Sequence, residues 1–258
     1  MQEVNYHTHT KRCGHAIGED EEYIEAAIAA GFKTLGISDH IPWFAHDKKS
    51  DRMPFSQLDE YIEDINALKV KYRDKIRILV GFEFEYMEEE GSDEYLRAVK
   101  EKVDYLILGQ HQKYFGYEYN DLCDEDDVEV YTNQIIRALD LKLTKYLAHL
   151  DYFILGKKSF TEHDKQCVYR ICEAVNRNEG YIELNLKGMQ YGKSMFNGKL
   201  QYLYPHEDVF KIVSACQCKV IFGYDAHYPA ALKQRDKERL IREEFAHLHL
   251  NFVDQVEF

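Results

Sequence analysis

Asn5-Tyr6-His7-Thr8-His9-Thr10 reads as the end of a β-strand. Side chains two apart on a strand share a face, so His7 and His9 point one way while Tyr6 and Thr8 point the other. Two imidazoles converging at a strand end make half of a metal site. Alone, they are equally compatible with two surface histidines on an edge strand. Recurrence separates these readings, because strand after strand further along the chain ends in the same kind of residue.

Working outward, residues 34–38 form a short strand that ends in Asp39-His40, after a helix that Asp20 can cap. The loop over 41–55, with Pro42, Trp43 and Phe44, is longer than a connector needs, which marks it as functional. Ser56 and Asp59 have capping-box spacing ahead of a helical period that runs to Tyr72. Residues 76–84 are the apolar run of a strand buried on both sides, carrying Gly81-Phe82-Glu83-Phe84-Glu85. A strand over 104–109 leads into His111, and one over 145–148 into His149-Leu150-Asp151. Thr161 and Asp164 repeat the capping-box spacing, and residues 181–184 run into Asn185. Pro205 is suited to open a helix. The strand over 219–222 ends in Gly223-Tyr224-Asp225-Ala226-His227, a closing helix covers 231–246, and the tail at 248–252 alternates like one more strand.

About seven strand–helix alternations without a Gly/Ser/Pro linker imply a parallel sheet in one domain spanning residues 1–258. An open doubly wound sheet would spread the strand ends along a line. A (β/α)7 TIM-like barrel would gather them around one mouth. The second arrangement accounts for functional-looking residues after nearly every strand.

Composition narrows the function. The apolar share of 45% describes a globular chain, and 33 basic against 46 acidic residues leave a net charge of −13. So acidic a surface is ill suited to nucleic acid or an anionic membrane, although metal ions can reverse the sign locally. No apolar stretch approaches the ~18 residues of a membrane span, and no basic-then-apolar leader opens the chain, so a cytoplasmic protein is expected. The six cysteines contain no CxxC pair and read as buried free thiols, with Cys13, beside Gly14-His15, held open. Oligomeric state is not written in these features.

Seven of the twelve histidines stand at strand ends or in the loops beyond them: His7, His9, His15, His40, His111, His149 and His227. Glu83 and Asp225 stand with them. His46, His163, His206, His247 and His249 read as surface residues. Imidazole and carboxylate without cysteine suit zinc, iron or manganese.

His7-Thr8-His9, Cys13-Gly14-His15, Ser38-Asp39-His40, Gly81-Phe82-Glu83, His111, His149 and Gly223-Tyr224-Asp225-Ala226-His227 resemble the motifs of the PHP family of metal-dependent phosphoesterases, and within it most closely the histidinol-phosphate phosphatases. The resemblance implies a distorted seven-stranded barrel and three divalent metal ions. His7, His9, Glu83 and Asp225 would hold the first. Glu83, bridging, with His111 and His149 would hold the second, and His15, His40 and His227 the third. Three dications against two ligand carboxylates leave the site positive inside an acidic chain, which suits a phosphate dianion. The implied reaction is hydrolysis of a small-molecule phosphate ester, L-histidinol phosphate by resemblance, with Glu83, Asp225 and His227 nearest the chemistry. The alternative substrates are another small phosphate ester or phosphotyrosine. Asp39, Glu85, Asp151 and Asn185 are candidates to fix the rings.

One departure bears on substrate. Where the histidinol-phosphate enzymes often carry an arginine that helps bind phosphate, the run Asn185-Leu186-Lys187-Gly188-Met189-Gln190 has Gln190. Lys187, Lys193, Lys157 and Lys158 are candidate replacements, each a point charge instead of a bidentate fork. Trp43, with Phe44, Tyr114, Phe115, Tyr117 and Tyr119, is a candidate wall for the leaving group.

Overall fold

The computed structural model describes residues 1–44 and 51–258. In chain order the elements are β1 (Val4–Asn5), α1 (Asp20–Ala29), β2 (Thr34–Ile37), α2 (Leu58–Tyr72), β3 (Arg77–Phe84), α3 (Ser92–Lys100) and β4 (Tyr105–Leu108). A small hairpin, β5 (Gln112–Tyr114) and β6 (Tyr117–Glu118), precedes α4 (Glu125–Asp140), β7 (Tyr146–Leu147), α5 (Glu162–Arg177) and β8 (Tyr181–Asn185). A second hairpin, β9 (Lys193–Phe196) and β10 (Lys199–Tyr202), precedes α6 (Glu207–Ala215), β11 (Lys219–Gly223), α7 (Asp236–Glu244) and β12 (Asn251–Phe252).

Eight of these strands form one all-parallel sheet in the order β1-β2-β3-β4-β7-β8-β11-β12. The expected parallel barrel is present, with an eighth strand supplied by the tail. The sheet curls until β1 faces β11, and there side chains take over from the ladder. Gln2 donates its amide to the Phe222 carbonyl at 2.8 Å and accepts from the Phe222 N–H at 3.0 Å. Asn5 Oδ1 accepts from the Tyr224 N–H at 3.0 Å, and Thr8 bridges to Ala226.

Local expectations meet mixed outcomes. Thr161 and Asp164 form the capping box of α5. For α1 the cap is Glu19, not Asp20, with Glu22 closing the box. Ser56 and Asp59 form none, because a 3₁₀ turn at Phe55–Gln57 already engages the Leu58 N–H. Pro205 lies outside α6, which starts at Glu207. The closing helix is split: a 3₁₀ turn, Pro229–Lys233, precedes the shorter α7.

Two apolar layers hold the molecule. The larger lies between sheet and helices, with residues such as Ile37, Phe82, Val168 and Phe222 fully buried. The smaller fills the inside of the curl at its floor with Val4, Tyr6, Leu79, Tyr105, Ile107, Tyr146, Tyr181 and Val256. Side chains fill the floor, so polar residues at the opposite, C-terminal strand ends have one place to converge.

Candidate metal centre

Past the last ladder residue of β1 the chain continues to His7 and His9, both fully buried. Their rings face each other, with Nε2 atoms 3.0 Å apart. The two side chains share one face, as the alternation predicted.

Glu83, near the C-terminal end of β3, is the hub. Its Oε2 lies 3.3 Å from His7 Nε2, 3.1 Å from His9 Nε2 and 3.2 Å from His40 Nδ1. Its Oε1 lies 2.8 Å from His149 Nε2 and 3.6 Å from His111 Nε2. Asp225 Oδ1 is 3.6 Å from both His7 and His9 and 3.2 Å from His227 Nδ1. His227 Nε2 is 3.0 Å from His15 Nε2. All nine ligand-type side chains named from the sequence thus meet at one mouth.

The donor set fits divalent cations. A single carboxylate cannot satisfy five imidazoles, and nitrogens facing one another at 3.0 Å share at most one proton between them. Within subsets such as His15/His40/His227, His7/His9/Glu83 and His40/Glu83/His111, the ligand atoms lie within 4.8 Å of one another. Cys13, buried beside them, forms such a subset with His9 and His227.

Charge follows geometry. Burial disfavours ionisation of Glu83, but His7, His111 and His40 outweigh it and hold the carboxyl well below its ordinary range. Burial likewise opposes the charge on Asp225, yet Lys187, His7 and His227 keep it ionised. For His9, burial and then His227 push the pKa well down, leaving a neutral imidazole with a lone pair to offer.

Two site residues carry backbone strain. His149 has φ 26° and Asp225 has φ 45°, a region that costs a non-glycine residue about 1–3 kcal/mol. Two glycines make room for acids: a Cβ on Gly109 would sit 1.8 Å from Glu83 Oε1, and one on Gly223 1.9 Å from Glu183 Oε2.

Glu183 is the largest omission from the sequence reading. Fully buried in β8, it accepts from His7 Nδ1 and from the Tyr146 hydroxyl, both at 2.8 Å, and from Asn185 at 2.7 Å. The available signal was an acid inside a strand buried on both faces, which has to be partnered. Of the four candidates for fixing the rings, Glu85 reaches His111 Nδ1 at 3.1 Å. Asn185 reaches Asp225 Oδ2 at 3.1 Å. Asp39 instead accepts from the Thr10 N–H and hydroxyl, and Asp151 from the His206 N–H.

The mouth opens into a cleft of about 250 Å³ lined by His15, His40, His111 and Asp225, by Arg52 and Lys187, and by Tyr152, Tyr191 and Tyr204. Lys187 Nζ lies 3.4 Å from Asp225 Oδ1 and 3.2 Å from His227 Nε2. Arg52 is buried and forks onto Glu85, at 3.3 and 3.4 Å. The other named candidates stand elsewhere. Lys193 pairs with Glu244 at 2.7 Å, and Lys158 is exposed outside the cleft lining. Trp43 is buried against Phe44, its indole N–H on Glu89 at 3.3 Å. Lys157 pairs with Asp164, and Gln190 is exposed. The tyrosine wall therefore comes from other residues than those expected. Among the histidines read as surface, His206 is fully buried, a correction. His46 lies outside the described residues.

Comparison with known proteins agrees with this geometry. The PHP domain model matches residues 5–187. A protein of Deinococcus radiodurans named "probable histidinol-phosphatase" is 26% identical over 86% of this chain and 85% of its own length. The histidinol-phosphatase of Bacillus subtilis is 24% identical over 88% of this chain and 94% of its own. A histidinol phosphate phosphatase from Lactococcus lactis, solved with zinc, L-histidinol and phosphate, superposes with a TM-score of 0.67 at 16% identity, covering 98% of this chain and 95% of that one.

Proposed function

The chain belongs to the PHP domain family, and from that premise we propose that it is a metal-dependent phosphomonoesterase that hydrolyses L-histidinol phosphate to L-histidinol and phosphate. The observation that carries this reading is the convergence of seven imidazoles and two carboxylates around Glu83 beside a cleft of small-molecule size. The relatives' names supply the substrate.

In this reading His7, His9, Glu83 and Asp225 would hold one divalent ion, Glu83, His111 and His149 a second, and His15, His40 and His227 a third. Zinc is favoured over iron or manganese by the zinc-bound relative. When bound, such ions supply an acidified water as nucleophile and offset charge on the phosphoryl oxygens. The chain's own residues do the rest. Glu183 holds His7 by its Nδ1, which turns Nε2 toward the centre. Glu85, clamped by Arg52, does the same for His111. Asn185 fixes the orientation of Asp225. Lys187, its ammonium already at the edge of the cluster, is the cation positioned to meet a phosphoryl oxygen, in the role that an arginine has in related enzymes. In this reading Glu83, Asp225 and His227 would stand nearest the reacting phosphorus. The enzyme would work in the cytoplasm on a small ester, without nucleic acid or membrane. No helix among the described residues is long and apolar enough to cross a bilayer.

The test is metal analysis of the purified protein by mass spectrometry, then phosphate release from L-histidinol phosphate, phosphotyrosine and nucleotides. The reading expects bound transition metal and a kcat/KM for histidinol phosphate at least about a hundredfold above the other esters. Equal turnover of all three, or preference for phosphotyrosine, would overturn the substrate. A metal-free yet active protein would overturn the reaction.

A further inference from the structure

The opposite end of the sheet holds a second cleft that the phosphatase reading does not use. It measures about 380 Å³ and is bounded by the residues that lead into β4, β7 and β8. Its exposed apolar surface comes from Phe258, with Leu106 and Leu143 buried behind it, and Lys100, Lys142, Lys145 and Arg177 stand around it with Asp104 and Glu179.

The charges are unevenly matched. Arg177 is paired with Asp140 at 2.8 Å, and Lys145 has Glu179 at 3.7 Å. Asp104, which also lines the cleft, is engaged by Lys69 at 2.7 Å and by the Val80 N–H at 2.8 Å. Lys100 and Lys142 differ. The Lys100 ammonium donates to the backbone carbonyl of Lys142, and the Lys142 ammonium donates to the side-chain oxygen of Asn178. Both acceptors are uncharged, and neither ammonium has a carboxylate within ion-pair distance among the described residues, although Lys142 lies close enough to Asp140 to favour its ionised form. Burial, then the neighbouring Arg97 and Lys145, lowers the Lys100 pKa. In a chain of net charge −13, a cleft lined by four basic residues and two acidic ones is a local reversal of sign.

We propose that this floor cleft binds a small organic anion, with its charged head between Lys100 and Lys142 and its apolar body against Phe258. A phosphate, sulfonate or carboxylate head serves equally, because an ammonium recognises charge without a bidentate shape requirement. The apolar body separates this ligand from inorganic anions, since the wall contributes only when something apolar covers it. The site stands at the strand ends remote from the histidine cluster, so its occupant needs no contact with metal.

Toluene-4-sulfonate is a suitable probe, being neither a phosphate ester nor a strong metal ligand. Calorimetric titration into the full-length protein should show one saturable site whose affinity falls as salt is added. The double variant Lys100→Gln/Lys142→Gln should bind at least about tenfold more weakly while retaining its melting temperature. Phe258→Ala should weaken binding by a smaller factor, and Lys187→Gln, at the mouth, should leave it unchanged. Absence of saturation, equal affinity in the double variant, or loss of binding in Lys187→Gln would overturn the site. Inorganic sulfate binding as tightly as the probe would overturn the organic body.

Discussion

The two ends of the sheet are built from the same strands and solve opposite problems. At the floor Tyr6 meets Tyr105, Tyr146 and Phe258 edge to face, with ring centroids 5.1–6.2 Å apart, Phe258 tilts against Tyr105 and stacks on Tyr146, and the Tyr105 hydroxyl is satisfied by the Tyr6 carbonyl at 2.6 Å. At the mouth, a few residues further along the same strands, imidazole nitrogens crowd each other and one carboxylate. The aromatic packing of the floor is complete with protein partners alone. The mouth has more lone pairs than protons and is satisfied when cations join it. The comparison teaches where to expect function: at the end of a barrel where side chains are not sufficient partners for each other.

The largest effect should come from removing a member of the mouth. His9→Ala and Asp225→Asn are expected to leave a folded protein, because the floor is untouched. Each should lower kcat/KM by roughly 10³ or more, about 4 kcal/mol of barrier. Circular dichroism and phosphate release measured on the same sample check this. Near-normal turnover in either variant would refute the ligand assignment.

Next comes a residue one step out. Glu183→Gln keeps the shape but weakens the grip on His7 Nδ1. Residues that orient metal ligands in this way typically contribute 10–100-fold in metal affinity or activity. The expected outcome is faster metal loss to a chelator together with reduced turnover. Reduced stability with unchanged metal retention would assign Glu183 to the floor instead.

The contrast also explains which features were legible in the sequence. β3 is visible because its eight residues are nearly all apolar and buried, and Glu83 stands out against that background. The other eight ligand-type residues are visible because each follows a strand or lies in the loop beyond one, so topology alone gathers them. Strands of two residues, such as β1, β7 and β12, are too short to carry a period, which is why the eighth strand was only suggested. Lys187 and Lys193 were equivalent in sequence. The chain places one at the mouth and pairs the other with Glu244, a contact across 51 residues of sequence that no local pattern encodes. His206 was misread for a similar reason: Phe160 and Phe196 enclose its ring, at 5.5 and 5.2 Å, from distant segments.

His206 sharpens the comparison because it is a buried imidazole outside the mouth. Neither of its ring nitrogens has a hydrogen-bond partner, and burial pushes its pKa down to about 4. The folded state therefore binds fewer protons than the unfolded chain between about pH 4 and the ordinary value of 6.5. Stability from this group is complete above pH 6.5 and is lost as pH falls toward 4. Between pH 8 and pH 5 the loss is about 2 kcal/mol. Urea unfolding at both pH values should show His206→Leu losing less stability on acidification than the parent, by about that amount. Identical pH dependence in the two proteins would place the acid sensitivity elsewhere.

The smallest effect tests whether the two ends are independent. Tyr146 belongs to both: its ring packs against Tyr6 at the floor, and its hydroxyl donates to Glu183 Oε2, the oxygen that also receives His7 Nδ1. Tyr146→Phe keeps the ring and removes one donor from a buried carboxylate, a change of about 1 kcal/mol. Glu183 retains Asn185 on its other oxygen, so the carboxylate should rotate little and turnover should fall only a few-fold. The melting temperature should drop by a few degrees. If turnover falls as far as in Glu183→Gln, the floor is part of the mouth's positioning machinery and the division between the ends fails. If stability falls and turnover per folded molecule is unchanged, the hydroxyl serves packing alone, and the boundary between the regions runs through Glu183.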